Sequence, residues 1–267
     1  MTNNPFHRPE LPSNIVFDFG FLHITNSVLA SFTVTVLLVI VALIIRRNFA
    51  VIPSRIQIVL ELLVNFFLGT LKDAYGSEER ARKFLPLIMT YFLYLLMANL
   101  FFIIPLINST FVNSDGHTFP LFRVSTSDWS QTLALGLITV VGAHIIALTI
   151  HPIKHIGAFI RVEGFWKARS FGDIMNAFIN FFIGIMEIIG EFARPVSLSA
   201  RLFGNIFAGE MMVAVIASIM APFTWFILPM PFLALGIFVG LIQAFVFTFL
   251  SILFMAQTVQ AAHHSSH

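Results

Sequence analysis

Long apolar runs separated by short polar stretches dominate the chain, and their lengths predict membrane-spanning helices. Crossing the hydrocarbon core takes about 20 apolar residues. The runs 26–45, 84–107 and 129–150 meet that length without an Asp, Glu, Lys or Arg, and so does 232–255 once Pro229 and Pro231 divide it from what precedes. The run 173–220 is longer and is interrupted by Glu187, Glu191, Arg194, Arg201 and Glu210. The run 55–73 is short, carries Glu61 and lies between Arg55 and Lys72. It predicts an amphipathic helix in or on the membrane interface. No repeat suggests an inverted-repeat transporter.

The 173–220 run leaves two topologies open. As a single helix it would be about 70 Å long at 1.5 Å per residue, against a hydrocarbon core of about 30 Å. It either crosses twice or crosses once at a steep tilt. Pro195 removes a backbone donor near its middle and permits a bend. Both flanks, 221–231 and 256–267, lack Lys and Arg, so loop charge does not decide between five spans and six.

Elsewhere the basic residues do give an orientation. Arg46, Arg47, Arg55, Arg80, Arg82 and Lys83 cluster in the first connection, and Lys154, Arg161, Lys167 and Arg169 in the 151–170 loop. Arg123 is the one Lys or Arg of 108–128. The positive-inside rule puts the first connection and the 151–170 loop inside, and the N-terminus and 108–128 outside. Trp129 and Trp225 then fall at the outer interface and Trp166 at the inner one. The expected organisation is an outer N-terminal arm, 1–25, and a single transmembrane domain, 26–267. The opening MTNNPFHRPELPSN does not read as a cleavable signal peptide.

Composition sharpens this picture. Of 267 residues, 58% are hydrophobic and 10% charged, with a mean hydropathy of +0.90. Soluble domains carry about 45–50% apolar and about 25% charged residues, so the chain lacks the polar surface for a soluble globule. There is no Cys, which excludes disulfides, thiolate chemistry and Cys-ligated metals. A net charge of +2 without a basic run argues against nucleic acid as a partner. No cofactor is expected. The tail AAHHSSH reads as a disordered end or a weak metal site, the former being preferred.

The unusual chemistry lies in 173–220. An ionisable side chain at the centre of a transmembrane helix costs roughly 2.5–3.5 kcal/mol on insertion scales. Such groups therefore face one another, water or a partner. At about 100° per residue, Arg194 projects about 20° from Arg201, Glu187 about 40° and Asn205 about 40°. Glu210 projects to the opposite side. A polar stripe with one outlier implies two environments. Arg201 could also snorkel from the end of a shorter helix, and Glu187 and Glu191 could pair with Arg194 as structural salt bridges.

The run Pro195-Val-Ser-Leu-Ser-Ala-Arg201-Leu-Phe-Gly-Asn205-Ile-Phe-Ala-Gly-Glu210 closely resembles the signature of subunit a of F-type ATP synthases. Gly240-Leu-Ile-Gln243-Ala-Phe, Ala98-Asn99-Leu before Ile-Ile-Pro105, and Ser127-Asp128-Trp-Ser-Gln-Thr-Leu are similar to that family in the same order, over about residues 25–260.

The resemblance implies an all-α polytopic membrane protein of about five transmembrane helices plus an inner-side amphipathic helix. Its last two long helices would form a tilted hairpin against a ring of c subunits, with the N-terminus outside and the C-terminus inside. It implies a proton-conducting stator subunit, not an enzyme, with the c-ring, b-type peripheral-stalk subunits, lipid and protons as partners. A bacterial inner membrane is the expected location, ahead of a mitochondrial one. Arg201 matches the family's essential arginine. A guanidinium stays charged at any working pH, so it can favour ionisation of a ring carboxylate and block a direct proton leak.

Asn205 and Gln243 match polar positions flanking that arginine; an ordinary interhelical amide bond is the other reading. Glu210 matches an acidic position of the outer half-channel and Glu187 one of the inner. One departure stands out: the position seven before Gln243, where many members carry His or an acidic residue, is Gly236. His144 or Asp128 could supply the missing group. The competing readings are a self-contained channel or secondary transporter, and a structural scaffold with buried salt bridges.

Overall fold

The computed structural model describes residues 15–18, 23–48, 50, 53–101, 111–114, 117–150, 171–219 and 229–264. The 151–170 loop with its basic residues and Trp166, Pro105, Trp225, most of the N-terminal arm and the end of the tail lie outside them. The described chain is helical apart from two short antiparallel hairpins. These are β1 (Ile15–Asp18) with β2 (His23–Thr25), and β3 (Phe111–Ser114) with β4 (His117–Pro120).

Among the described residues six helices follow one another: α1 (Asn26–Arg47), α2 (Arg55–Tyr75), α3 (Glu78–Phe101), α4 (Trp129–Ile150), α5 (Phe171–Ile219) and α6 (Pro229–His264). A 3-10 turn, Ser125–Ser127, leads into α4. By length and apolar composition α1, α3, α5 and α6 can each cross a membrane, and Trp129–Ile145 of α4 is a shorter apolar helix. The chain is an all-α polytopic membrane protein. The 173–220 run is one helix, with Pro195 inside it, so it does not break into two.

Two boundaries differ from the sequence expectation. Helix α3 was expected over 84–107, and its described part begins at Glu78. The added turns are polar, so hydropathy does not see them. They are held by i,i+4 pairs, Glu78 with Arg82 at 2.8 Å and Glu79 with Lys83 at 2.9 Å. Helix α6 was expected from about 232 and starts at Pro229. Pro229 and Pro231 both lie in the first turn, where backbone N–H groups have no intrahelical acceptor to lose.

Local capping accounts for other ends. The Thr25 hydroxyl accepts from the Val28 amide at the start of α1, and Arg46 and Arg47 occupy its last turn, where cations suit the helix dipole. Ser54 caps α2, and Gly76 ends it with φ +64°, a left-handed conformation that favours glycine.

The described residues group into two compact units, which share α5 and α6. The first holds residues up to 132 with 200–249; the second holds 133–199 with 250–267. In the first, aromatic rings of α2, α3 and α6 build the core. Phe67 lies 5.1 Å from Phe92 and 6.0 Å from Phe245, and Tyr91 lies 6.1 Å edge-on from Phe247. Phe67, Leu71, Ile88, Leu95 and Phe247 are fully buried. Ile56, Val59 and Leu62, in the first half of α2, are exposed and apolar, as an interface-lying helix requires. In the second unit α4 approaches α5 through Gly136, where a Cβ would sit 2.6 Å from the Ser199 hydroxyl and 2.9 Å from the Pro195 carbonyl oxygen.

Candidate functional site

Helix α5 carries the site because it alone brings charge into an apolar helix of this length. In the first unit Arg201 is exposed, and among the described residues it has no hydrogen-bond or ion-pair partner. Four residues on, Asn205 Nδ2 donates to Gln243 Oε1 of α6 at 2.8 Å. Gln243 is 3% exposed, so the pair places one buried and one open amide beside the arginine's turn of helix.

Glu210 lies in a different environment. Its side chain is 8% exposed, and its Oε2 is 3.8 Å from Nε of Arg123, itself 7% exposed. That is an ion pair without a direct hydrogen bond, and among the described residues Glu210 Oε2 makes no hydrogen bond of its own. Arg123 Nε donates instead to the Ser127 hydroxyl at 3.1 Å, which donates to the Val124 carbonyl at 2.9 Å. The projection that set Glu210 opposite Arg201 thus corresponds to one buried and one exposed charge.

The Ser125–Ser127 turn that carries this chemistry is anchored on both sides. Thr126 donates to Asn99 Oδ1 at 2.9 Å, and Asn99 Nδ2 donates to the Gly240 carbonyl of α6 at 3.0 Å. A Cβ on Gly240 would meet the Asn99 Cβ at 3.0 Å, so glycine permits that approach. Asp128 accepts from the Ser27 hydroxyl at 2.6 Å and from the Ser130 amide at 2.9 Å. It ties α1 to the first turn of α4 in the manner of a helix cap.

In the second unit His144 Nε2 lies 3.3 Å from Glu191 Oε2. The Arg194 guanidinium binds the other Glu191 oxygen and lies 5.4 Å over the Phe254 ring. Glu187 is in α5, and its side chain is outside the described residues.

The structure therefore brings together Asn205 with Gln243, and Glu191 with Arg194. Asp128 serves as a tie between α1 and α4, and His144 meets Glu191. The group beside Glu210 is Arg123. The signal was present in part: Arg123 is the one Lys or Arg of 108–128, and a cation that is buried needs a partner.

The chain matches the family described as ATP synthase A chain over residues 28–256. It is 34% identical over 244 residues to the ATP synthase subunit a of Moorella thermoacetica, covering 91% of this chain and 95% of that one. The corresponding figures for the subunit a of Helicobacter acinonychis are 35% over 226 residues, 84% and 85%. For that of Mycobacterium leprae they are 28% over 251 residues, 92% and 91%. With the match running from α1 to near the end of α6, and with relatives alike over nearly their whole length, the chain belongs to the ATP synthase A chain family.

Proposed function

We propose that this chain is the proton-conducting stator subunit of a rotary ATP synthase, passing protons to and from carboxylates on a c-subunit ring through two offset half-channels. The observation that carries the reading is Arg201: a permanent cation, exposed on an apolar helix, with no partner among the described residues. In this reading its counter-charge belongs to another chain. A ring carboxylate fits, because it must be neutral to turn through lipid and ionised to exchange its proton. Opposite Arg201 the ionised form is stabilised, and the guanidinium itself offers protons no path.

Glu210 and Arg123 belong to the outer half-channel in this reading, Glu187 to the inner, and Asn205 with Gln243 orients the arginine's neighbourhood. Helix α5 runs tilted against the ring with α6 as its hairpin partner. The meeting of His144 with Glu191 supports a tilt: His144 is close to the end of α4, whereas Glu191 is well inside α5. Two upright neighbours entering the same face would meet at similar depths. The subunit conducts and does not itself catalyse. It sits in a bacterial inner membrane with its N-terminus outside, its C-terminus inside and b-type stalk subunits beside it. The driving force, about 2.3 kcal/mol per charge per 100 mV, is then collected over several protons per turn.

The test is Arg201→Ala in the assembled complex, assayed for ATP-driven proton pumping in inverted membrane vesicles. Pumping is expected to vanish while the subunit remains in the complex. Full pumping would overturn the reading and favour a scaffold.

A further inference from the structure

Helix α4 contains no Asp, Glu, Lys or Arg, and His144 is its one titratable side chain. An isolated imidazole in such a helix is unfavourable unless it meets a polar partner. Here the partner is specific. His144 Nε2 is 3.3 Å from one oxygen of Glu191, and Arg194 binds the other. The side chains of His144, Glu191 and Arg194 are 24%, 14% and 28% exposed, so the cluster is sheltered and not sealed. From α6 it receives the Phe254 ring over Arg194 and no Asp, Glu, Lys or Arg. Glu187 is the other charged residue nearby in the α5 sequence.

Structural neutralisation of Glu191 needs only Arg194, three residues along the same helix. The imidazole on the second oxygen then adds something the ion pair does not have, a second ring nitrogen through which a proton can be passed on. The geometry points to His144 and Glu191 as a proton-exchanging pair at the end of the membrane domain that leads into the basic 151–170 loop, with Arg194 neutralising the carboxylate after each transfer.

The transfer balances simply. A proton on Glu191 Oε2 passes to the Nε2 lone pair of neutral His144, leaving a carboxylate against Arg194 and an imidazolium. The imidazolium releases its Nδ1 proton to water and regains its starting tautomer by exchange with water. One proton enters, one leaves, and no other bond changes. The inference rests on the proton-conducting reading above, and the reverse sequence serves ATP-driven pumping.

The test uses the intact complex in inverted vesicles, with passive proton conductance through the membrane sector as the main readout and subunit content as a check on assembly. His144→Ala is expected to slow conductance at least about tenfold. That is less than the roughly 10²–10⁴ contributed by positioned acid–base groups, because water substitutes in part. Millimolar imidazole in the buffer should restore most of the loss. His144→Gln can still hydrogen-bond Glu191 and cannot carry a proton, so it should be slow as well. Wild-type conductance in either variant would overturn the pair, as would a slow His144→Ala that imidazole leaves unchanged. Arg201→Ala in parallel separates the two ideas. Normal pumping there sinks the stator reading itself, whereas lost pumping there with normal conductance in the His144 variants sinks only the pair.

Discussion

The Arg123–Glu210 pair makes a quantitative prediction about how a charge is tolerated inside this protein. The two groups are 7% and 8% exposed and 3.8 Å apart. At that separation unit charges attract by about 4 kcal/mol at an effective dielectric of about 20. Desolvation of both groups offsets much of this, so the net value of the intact pair is small. Removing one member is different, because it leaves an uncompensated buried charge, which costs about 3–5 kcal/mol. Arg123→Ala should therefore destabilise the subunit by about 3–5 kcal/mol. Glu210→Gln keeps shape and removes the charge, but strands the Arg123 cation to a similar degree.

The double variant Arg123→Ala/Glu210→Gln strands neither and should be less damaged than the sum of the two singles by about 2–4 kcal/mol, within the range measured for close charge pairs. The assay is SDS-titrated unfolding of the reconstituted subunit in mixed micelles, read for all four members of the cycle. Effects that add to within about 0.5 kcal/mol, the margin for independent sites, would refute the pairing. Arg123 would then be held by other contacts, among them its hydrogen bond to Ser127.

Three further outcomes can be checked with the same material. Gly136→Ala puts a Cβ 2.6 Å from the Ser199 hydroxyl and should cost about 1–3 kcal/mol by overpacking. Gly142→Ala, whose nearest such contact is a Met255 methyl at 4.0 Å, should be near neutral. Asn205→Ala leaves Gln243 without its one amide partner, and Gln243 Nε2 is already buried without one. It should cost about 1–3 kcal/mol and reduce ATP-driven pumping without abolishing it. Tyr75 has a buried hydroxyl with no partner among the described residues, and burial pushes its phenol well above the usual range. Tyr75→Phe should thus unfold no more readily than the parent. Above about pH 10, where the unfolded phenol ionises first, the parent should lose stability faster than the variant.

The spans were legible because a membrane helix announces itself in a local run of apolar residues, and nothing beyond neighbouring positions is needed to read it. The onset of α3 was not, since Glu78, Arg82, Glu79 and Lys83 extend the helix through i,i+4 pairing that hydropathy scores as a loop. The hairpins β1–β2 and β3–β4 escaped for a related reason: strands of three or four residues give no periodicity to count. Within the site, Asn205 and Gln243 were legible as positions, and their contact had to be seen. Arg123 and Glu210 were each conspicuous alone. Their meeting depends on how the Ser125–Ser127 turn is held by Asn99 and Gly240, which no local window contains.

What the fold adds to the sequence is a difference among the charges of α5. Glu191 has Arg194 and His144, Glu210 has Arg123, and Asp173 also has a partner. The chain can evidently neutralise charge in this helix when neutralisation is all that is needed. Arg201 is the exception among the described residues, and it lies on an exposed surface of a helix built to be surrounded by lipid or protein. Left facing hydrocarbon it would cost about 2.5–3.5 kcal/mol on insertion scales. A partner carboxylate that ionises opposite it recovers that cost only while the two are aligned. In the proposed reading, the same arithmetic that makes Arg201 unfavourable in the isolated subunit makes it a place where a passing ring acid is held ionised until a proton arrives to release it. A second unpaired cation on the same face would hold two acids at once and stall the ring. A second exposed arginine introduced one turn away, as in Gly204→Arg, should therefore block ATP-driven pumping even with Arg201 intact. Normal pumping in that variant would show that the exposed face does not meet the ring.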